Sequence, residues 1–238
     1  MRFLGHRVND AERRRLKELL KALRSPCKYT SPNNSSWLIN HQFEEEFRSI
    51  LLIHHYFIGS PLFQDSFESA FIAACQHRGF SLKRAPDGQR FWDVEVDTKN
   101  EKKKISLKSS KAKSLKSDVL YISKLTEAAW IQDCRTAKKR QERTQELFSS
   151  YCAEVETIVQ LRYFSSQQQY ELVEVPVALF KAILKVPTKH FSADGPTINI
   201  PIGKDPPDFT LKLDRSDAKI TVTNINKKLC TVHGTWQM

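Results

Sequence analysis

Residues 91–110 constrain the fold of this chain more than any other stretch. They contain two runs in which apolar and polar residues alternate, at 91–96 and 105–108, with a polar turn at about 100–102 between them. Such alternation is typical of β-strands, because successive side chains point to opposite faces of a sheet. The stretch therefore predicts a β-hairpin.

The polar faces of this hairpin carry an acid and an amine. A period of two places Ser106 and Lys108 on one face of the second strand. If the strands pair, Asp93 comes close to Lys108, and an acid and an amine so placed can hold a divalent metal ion and stabilise charge at a phosphate. A solvated surface pair is the alternative. The predicted elements on either side favour a central hairpin, in which a buried acid or lysine needs a partner or a metal ion.

The rest of the chain alternates between helical and strand-like patterns. Apolar residues at helical spacing predict helices, and period-two alternation bounded by turn residues predicts strands. The predicted elements are a helix capped by Asn9 and Asp10, helices at about 40–57 and 61–78, a long helical region at about 123–164 that is broken once or twice, a strand at 170–175, a short helix at 176–185, and strands at 198–202, 209–213 and 220–225.

These residues resemble the PD-(D/E)xK nucleases, whose first strand carries an acid and whose next strand carries acid-x-Lys. Here Ser106 stands where the second acid is expected, which is similar to a Ser-x-Lys variant found among type II restriction endonucleases. The resemblance covers about residues 63–133. It implies an α/β fold with a small mixed sheet flanked by helices, and this chain adds a β-rich C-terminal part.

The resemblance also implies where the missing acid lies. In the Ser-x-Lys enzymes a glutamate comes from the helix after the hairpin, and a further one from the helix before it; the matching positions here are Glu127 and Glu68. We expect Asp93, Glu127 and Glu68 to bind Mg²⁺. Lys108 would orient or help to deprotonate a water molecule, or contact the phosphate. Ser106 cannot replace a carboxylate, but its hydroxyl can hold a metal-bound water or a neighbouring side chain.

Two alternatives to a metal-binding Glu127 stay open. Glu95 shares a face with Asp93 and is the rival second carboxylate. Glu127 itself fits an ordinary first-turn glutamate, which the helix dipole favours.

The charge balance points to an anionic partner. The chain has 38 Lys and Arg residues against 27 Asp and Glu, a formal charge of +11, which favours nucleic acid or an acidic membrane surface. We expect phosphate contacts from basic and small polar residues near the hairpin and in the next helical region: Ser109, Ser110, Lys111, Lys138, Lys139, Arg140 and Arg143. Polar residues of the C-terminal strands, among them Asn224 and His233, are candidates for base contacts.

Other features exclude several classes of protein. No apolar run approaches membrane-spanning length, and the N-terminus lacks the apolar stretch of a signal peptide, so we expect a soluble cytoplasmic protein without a membrane partner. The five cysteines are scattered and form no Cys-x-x-Cys motif, which argues against a disulfide framework or a zinc knuckle.

The combined expectation is a Mg²⁺-dependent type II restriction endonuclease that cuts double-stranded DNA at a specific, palindromic site. A homodimer would mirror the symmetry of such a site, and a cognate DNA methyltransferase is expected as a genetic partner only. Residues 1–60 would form an N-terminal helical region and 61–238 a nuclease core, in one compact domain. The alternatives are a DNA-binding protein with a degenerate nuclease core, and a repair or recombination nuclease of the same fold.

Overall fold

A computed structural model describes residues 2–3, 6–32, 36–112 and 114–238. Residues 1, 4, 5 and 33–35 of the predicted N-terminal region therefore lie outside the described part. The α-helices are α1 (Asp10–Leu23), α2 (His41–Ile58), α3 (Gln64–His77), α4 (Trp130–Asp133) and α5 (Ala137–Glu154). Short 3-10 helices lie at Val177–Lys185, Thr188–Phe191 and Lys227–Leu229.

The strands of the described ranges form three sheets. They are β1 (Arg2–Phe3), β2 (His6–Arg7), β3 (Lys28–Thr30), β4 (Ser81–Arg84), β5 (Val94–Asp97), β6 (Lys102–Ser110), β7 (Val119–Glu127), β8 (Thr157–Phe164), β9 (Gln169–Pro176), β10 (Thr197–Ile202), β11 (Phe209–Asp214), β12 (Lys219–Asn226) and β13 (Thr231–Gln237).

The main sheet is mixed and has seven strands in the order β3-β13-β9-β8-β6-β5-β4. Strands β6 and β8 are parallel, and the other neighbours are antiparallel. A second, antiparallel sheet has the order β10-β11-β12-β7. The predicted hairpin is thus the β5–β6 pair, with Val94 opposite Ile105.

Two hydrophobic cores cover the two faces of the main sheet. Helices α2 and α3 pack on one face through phenylalanines such as Phe47 and Phe71, against Ile105 and Leu107 of β6. The other face packs against α5 and the second sheet, with Tyr151 and Phe180 at the centre. The layered α/β architecture with a β-rich C-terminal part is confirmed, although the sheet is larger than expected because β3 and β13 extend its edge.

The predicted starts of α1 and α2 are confirmed, and at each a side chain caps the helix. The Asn9 side chain accepts from the Glu12 backbone N–H at 2.9 Å, and the Glu12 carboxylate accepts from the Asn9 backbone N–H in return, so α1 begins with a capping box. The Asn40 side chain caps α2 by accepting from the Phe43 backbone N–H, and Gly59, whose φ of 67° suits glycine, follows the last residue of α2. Among the helices of the described residues, none combines the length and apolar character needed to cross a bilayer.

The predicted helical region at 123–164 is wrong at both ends. Its first part belongs to β7 and its last part to β8, so only α4 and α5 between them are α-helical. The strand at 170–175, the short helix at 176–185 and the three strands that follow are confirmed as β9, a 3-10 helix, and β10 to β12. The five cysteines are unpaired and buried or half-buried.

Candidate active site

The hairpin holds Asp93 rigidly at the point where β5 begins. Its backbone N–H donates to the Ile105 carbonyl at 2.9 Å. Its carboxylate oxygen Oδ2 accepts from the Leu107 backbone N–H at 2.6 Å and from the Ser106 hydroxyl at 3.3 Å. Ser106 is fully buried. Of the roles considered for Ser106, the structure therefore shows the bond to a neighbouring side chain, and that side chain is Asp93.

Lys108 lies on the same face of β6 as Ser106 and reaches Asp93, as the spacing predicted. Its Nζ is 3.8 Å from Asp93 Oδ2, and 21% of its side chain is exposed. Burial lowers the pKa of Lys108, while the nearby charges of Asp93 and Glu68 act in the opposite direction. A lysine in this position is a stronger candidate for handling a proton than a solvated one.

Glu68 comes to the site from helix α3, where Gln64 positions it. The Gln64 amide nitrogen donates to Glu68 Oε1 at 2.7 Å and to the Leu107 carbonyl at 2.6 Å, and its amide oxygen accepts from the Ser109 N–H at 2.8 Å. Burial raises the pKa of Glu68; the Asp93 charge adds to this, and the Gln64 hydrogen bond opposes it. The α3 N-terminus is thus fixed to the backbone of β6, and Glu68 faces the Asp93–Lys108 pair.

These side chains open into a cleft of about 740 Å³ between the hairpin and strand β7. One wall carries the residues just described. The other consists of Ile122 to Glu127 of β7 and the turn from Gly88 to Arg90. The Arg90 guanidinium donates to the Glu127 carbonyl at 2.8 Å and closes this wall. The cleft therefore lies between the site with Asp93, Glu68 and Lys108 and a strand whose exposed residues are polar.

The helical placement of Glu127 is wrong, because Glu127 is the last residue of β7. Its side chain is 77% exposed and pairs with Lys124 at 2.7 Å, and this hydrogen bond lowers the pKa of the carboxyl. Glu127 borders the same cleft but binds a cation of its own strand. Glu95, the rival, lies on β5 opposite Lys104 and does not line the cleft. Glu68 is consequently the glutamate that the structure brings to Asp93.

The residues expected to contact phosphate lie in two regions, near the hairpin and on α5. Near the hairpin, Ser109 lines the cleft. Lys111, which follows Ser110, places its Nζ 3.3 Å from the centre of the Phe63 ring. Lys138 and Arg143 are exposed on α5 and pair with glutamates one turn away, and Lys139 is exposed as well. None of these α5 residues lines the cleft.

Arg140 corrects the expectation for α5. It is only 4% exposed, and its guanidinium donates to the carbonyls of Cys134, Phe191 and Ala193. A side chain held in this way joins α5 to the neighbouring segments and is not exposed for a contact with phosphate. His233, a candidate for base contact, is likewise fully buried and bonds Glu174 at 2.9 Å.

Sequence reasoning missed two glutamines of the site, Gln64 and Gln160. Gln64 precedes Glu68 by four residues on one helix face, a spacing at which side chains interact. That signal was present in the sequence. Gln160 lies on β8, which the sequence did not predict as a strand, so no local pattern indicated it.

The protein offers a metal ion few ligands. Within the described ranges, no group of three or more His, Cys, Asp or Glu side chains is placed to hold a metal ion. Asp93 and Glu68 are the carboxylates that lie beside Lys108, and their charges act on one another. Mg²⁺ prefers oxygen ligands, keeps several waters and commonly uses one or two carboxylates together with substrate phosphates. The donor set therefore fits Mg²⁺ in the presence of a phosphate substrate.

Comparison with known proteins identifies the family of this chain. The family model for SmaI, described as a type II site-specific deoxyribonuclease, matches residues 14–238. No curated protein and no solved structure gives a significant match. The match spans nearly the entire chain and includes Asp93, Glu68, Lys108 and both walls of the cleft. This chain belongs to the SmaI family of type II site-specific deoxyribonucleases.

Proposed function

We propose that this deoxyribonuclease hydrolyses phosphodiester bonds of double-stranded DNA with Mg²⁺ held by Asp93 and Glu68. The observation that carries the proposal is the convergence of these carboxylates with the half-buried Lys108 in one cleft. The arrangement follows the PD-(D/E)xK pattern in its strand acid and its lysine. It departs from the Ser-x-Lys pattern because Glu127, at the position of the glutamate after the hairpin, lies on strand β7 and pairs with Lys124.

Asp93 and Glu68 are each held by hydrogen bonds through one carboxylate oxygen. Both hydrogen bonds to Asp93 fall on Oδ2, which leaves Oδ1 without a partner among the residues described. Glu68 is held by Gln64 through one oxygen, Oε1. Each carboxylate thus keeps one oxygen for a ligand. A bound Mg²⁺ would supply positive charge at the phosphate and lower the pKa of a coordinated water.

Lys108 has a separate role in this proposal. Its ammonium lies 3.8 Å from Asp93 Oδ2, beyond hydrogen-bonding distance, so Asp93 does not occupy its donors, which can engage the attacking water or a phosphate oxygen. Because burial lowers its pKa, more of it is the neutral amine at a given pH than in an exposed lysine, and the neutral amine is the form that can take a proton from water. Ser106 acts through Asp93, which it orients by donating to Oδ2.

The decisive experiment compares Glu68→Ala with Glu127→Ala in cleavage of plasmid DNA with Mg²⁺. Both glutamates border the cleft, so each variant controls for the other. Glu68→Ala should be inactive, as should Asp93→Ala, whereas Glu127→Ala should keep most of its activity because Glu127 pairs with Lys124 in solvent. Normal melting curves must accompany the inactive variants. An active Glu68→Ala together with an inactive Glu127→Ala would refute the assignment.

Lys108→Ala gives an independent test of the amine. It should fold and bind DNA but not cut it, with Lys124→Ala as the matched control, because Lys124 lines the same cleft and is 56% exposed. Cleavage by Lys108→Ala at the wild-type rate would rule out the proposed role of the lysine.

We further propose that the recognised site is palindromic and that the enzyme acts as a homodimer, since two-fold symmetry of a protein matches that of its site. Discrete plasmid fragments define the sequence that is cut, and light scattering during gel filtration gives the mass in solution. A monomer of 27.6 kDa that cuts both strands would contradict the dimer. The cytoplasmic localisation and the methyltransferase partner stay predictions.

A further inference from the structure

Gln160 is a buried residue of the cleft that the mechanism above does not use. Only 1% of it is exposed, and it lines the cleft together with Lys108. Its amide oxygen Oε1 is buried and has no hydrogen-bond partner among the described residues. Buried acceptors in native proteins nearly always have a partner, so this one calls for an explanation.

The orientation of the Gln160 amide is fixed by its other end. The amide nitrogen Nε2 donates to the Tyr121 carbonyl of β7 at 2.8 Å. A flipped amide would place its oxygen against that carbonyl, and two acceptors would then face each other. The hydrogen bond to β7 therefore determines which end is the free acceptor.

The neighbour of Gln160 across the sheet is Lys108. Strands β6 and β8 are parallel, and Lys108 lies directly beside Gln160 in their register. Side chains at such positions leave the same face of the sheet. Lys108 brings an ammonium with three N–H donors, whose nearest anionic oxygen, Asp93 Oδ2, is 3.8 Å away. Among the described residues, the Gln160 amide oxygen has no donor, and it lies beside the Lys108 ammonium, whose distance to Asp93 is too long for a hydrogen bond.

We propose that Gln160 is a positioning residue for Lys108: in the DNA-bound enzyme its Oε1 accepts a hydrogen bond from the Lys108 ammonium. Hydrogen bonds at catalytic sites are often long in the free enzyme and tighten in the complex. Gln160 also joins this lysine to β7, the opposite wall of the cleft. The inference rests on the proposed role of Lys108 in cleavage.

Kinetics of Gln160→Leu test the proposal. The kcat for plasmid cleavage should fall by about 10–100-fold, the range typical of groups that orient catalytic ligands, while KM and DNA affinity in Ca²⁺ stay at wild-type values. Gln145→Leu is the matched control, because Gln145 also donates to a backbone carbonyl, that of Leu184 at 2.9 Å, but lies outside the cleft. An unchanged kcat, or a change in KM alone, overturns the proposal.

Two further measurements keep the test decisive. Gln160→Glu keeps an acceptor oxygen and should be clearly more active than Gln160→Leu or Gln160→Met. Equal losses of activity would mean that only the bond to Tyr121 matters, and would overturn the proposal.

The ¹⁵N-detected ammonium signal of Lys108, identified by its absence from Lys108→Arg, should shift in Gln160→Leu bound to a DNA duplex and not in Gln145→Leu. An unmoved signal overturns the inference. This readout needs no cleavage, so a failure of the proposed function is seen separately, as a wild-type protein that does not cut.

Discussion

Replacement of Arg162 by methionine should destabilise the protein strongly, because Arg162 joins the two sheets. Only 1% of its side chain is exposed, and its guanidinium bonds Glu171 Oε2 at 2.7 Å. The same group donates to the carbonyls of Lys116 and Val119, at the start of β7, with the second bond at 3.0 Å. Glu171 also binds Lys227, which follows β12. The start of β7 and the segment that follows β12 are therefore both bonded to this ion cluster on the main sheet.

The size of the effect follows from what the substitution leaves behind. Removal of one partner from a buried ion pair typically costs about 3–5 kcal/mol, because the remaining charge is buried without compensation. Lys227 still neutralises part of the Glu171 charge, so we expect the lower part of this range, about 3–4 kcal/mol. For a protein of 238 residues, each kcal/mol shifts the melting temperature by roughly 2–4 °C. The expected decrease is therefore about 6–16 °C.

Thermal unfolding followed by circular dichroism measures this decrease. Arg143→Met is the matched control, because Arg143 also pairs with a glutamate, at 3.0 Å, but is 59% exposed, and exposed pairs contribute little to stability. The double variant Arg162→Met with Glu171→Gln should recover part of the loss, since it removes the uncompensated charge. If Arg162→Met melts within the range of Arg143→Met, the ion cluster does not hold the sheets together.

Three further outcomes are expected. EDTA should stop DNA cleavage and Mg²⁺ restore it, and Ca²⁺ should support binding without cutting; full activity in EDTA would exclude the metal mechanism. Changing Lys138 and Lys139 together to glutamine should weaken binding to all DNA sequences alike and flatten its salt dependence in titrations, because phosphate contacts carry little sequence information; a changed cleavage sequence would contradict this. Burial raises the pKa of Glu174, but hydrogen bonds from His233 and Trp37 outweigh it and hold the pKa below the ordinary 4.5. The stability that Glu174 contributes is therefore present above about pH 4.5 and lost as the pH falls through the lowered pKa, and unfolding of Glu174→Gln should be less sensitive to acid than that of the wild type.

The hairpin was predictable because its pattern is local. Alternation placed Asp93 and Lys108 on facing strands, and the structure confirms their proximity at 3.8 Å. Strand β7 was not predictable in this way. Its pairing with β12 contains two register irregularities, so its buried residues Leu120, Ile122 and Leu125 do not keep a period of two. A spacing of three after such a bulge imitates a helix.

Strand β8 was missed for a different reason. Residues Thr157 to Arg162 are all buried, because β8 lies in the middle of the main sheet with a core on each face. Strands that are buried on both faces lose the polar alternation that marks a half-exposed strand. Gln160 was missed for the same reason, because only the register of β6 with β8 shows that it lies beside Lys108.

The choice between Glu68 and Glu127 likewise needed tertiary structure. Each glutamate lies beside apolar residues, and neither sequence context states which way the side chain points. The Gln64 side chain determines the choice, because two of its hydrogen bonds hold the start of α3 against Leu107 and Ser109 and the third holds Glu68. That docking turns Glu68 toward Asp93, whereas Glu127 stays 77% exposed.

In the proposed site, the buried Ser106 accounts for a second acid that comes from a helix and not from the strand. A carboxylate at position 106 would lie fully buried beside Asp93, and two like charges so close in a poorly solvated place raise each other's pKa. A hydroxyl there instead donates a hydrogen bond to the Asp93 carboxylate and adds no charge beside it. In the proposed site the second negative charge comes from Glu68, which is half-exposed in the cleft. One carboxylate is then held by the backbone and hydroxyl of the hairpin, and the other by the Gln64 side chain of α3.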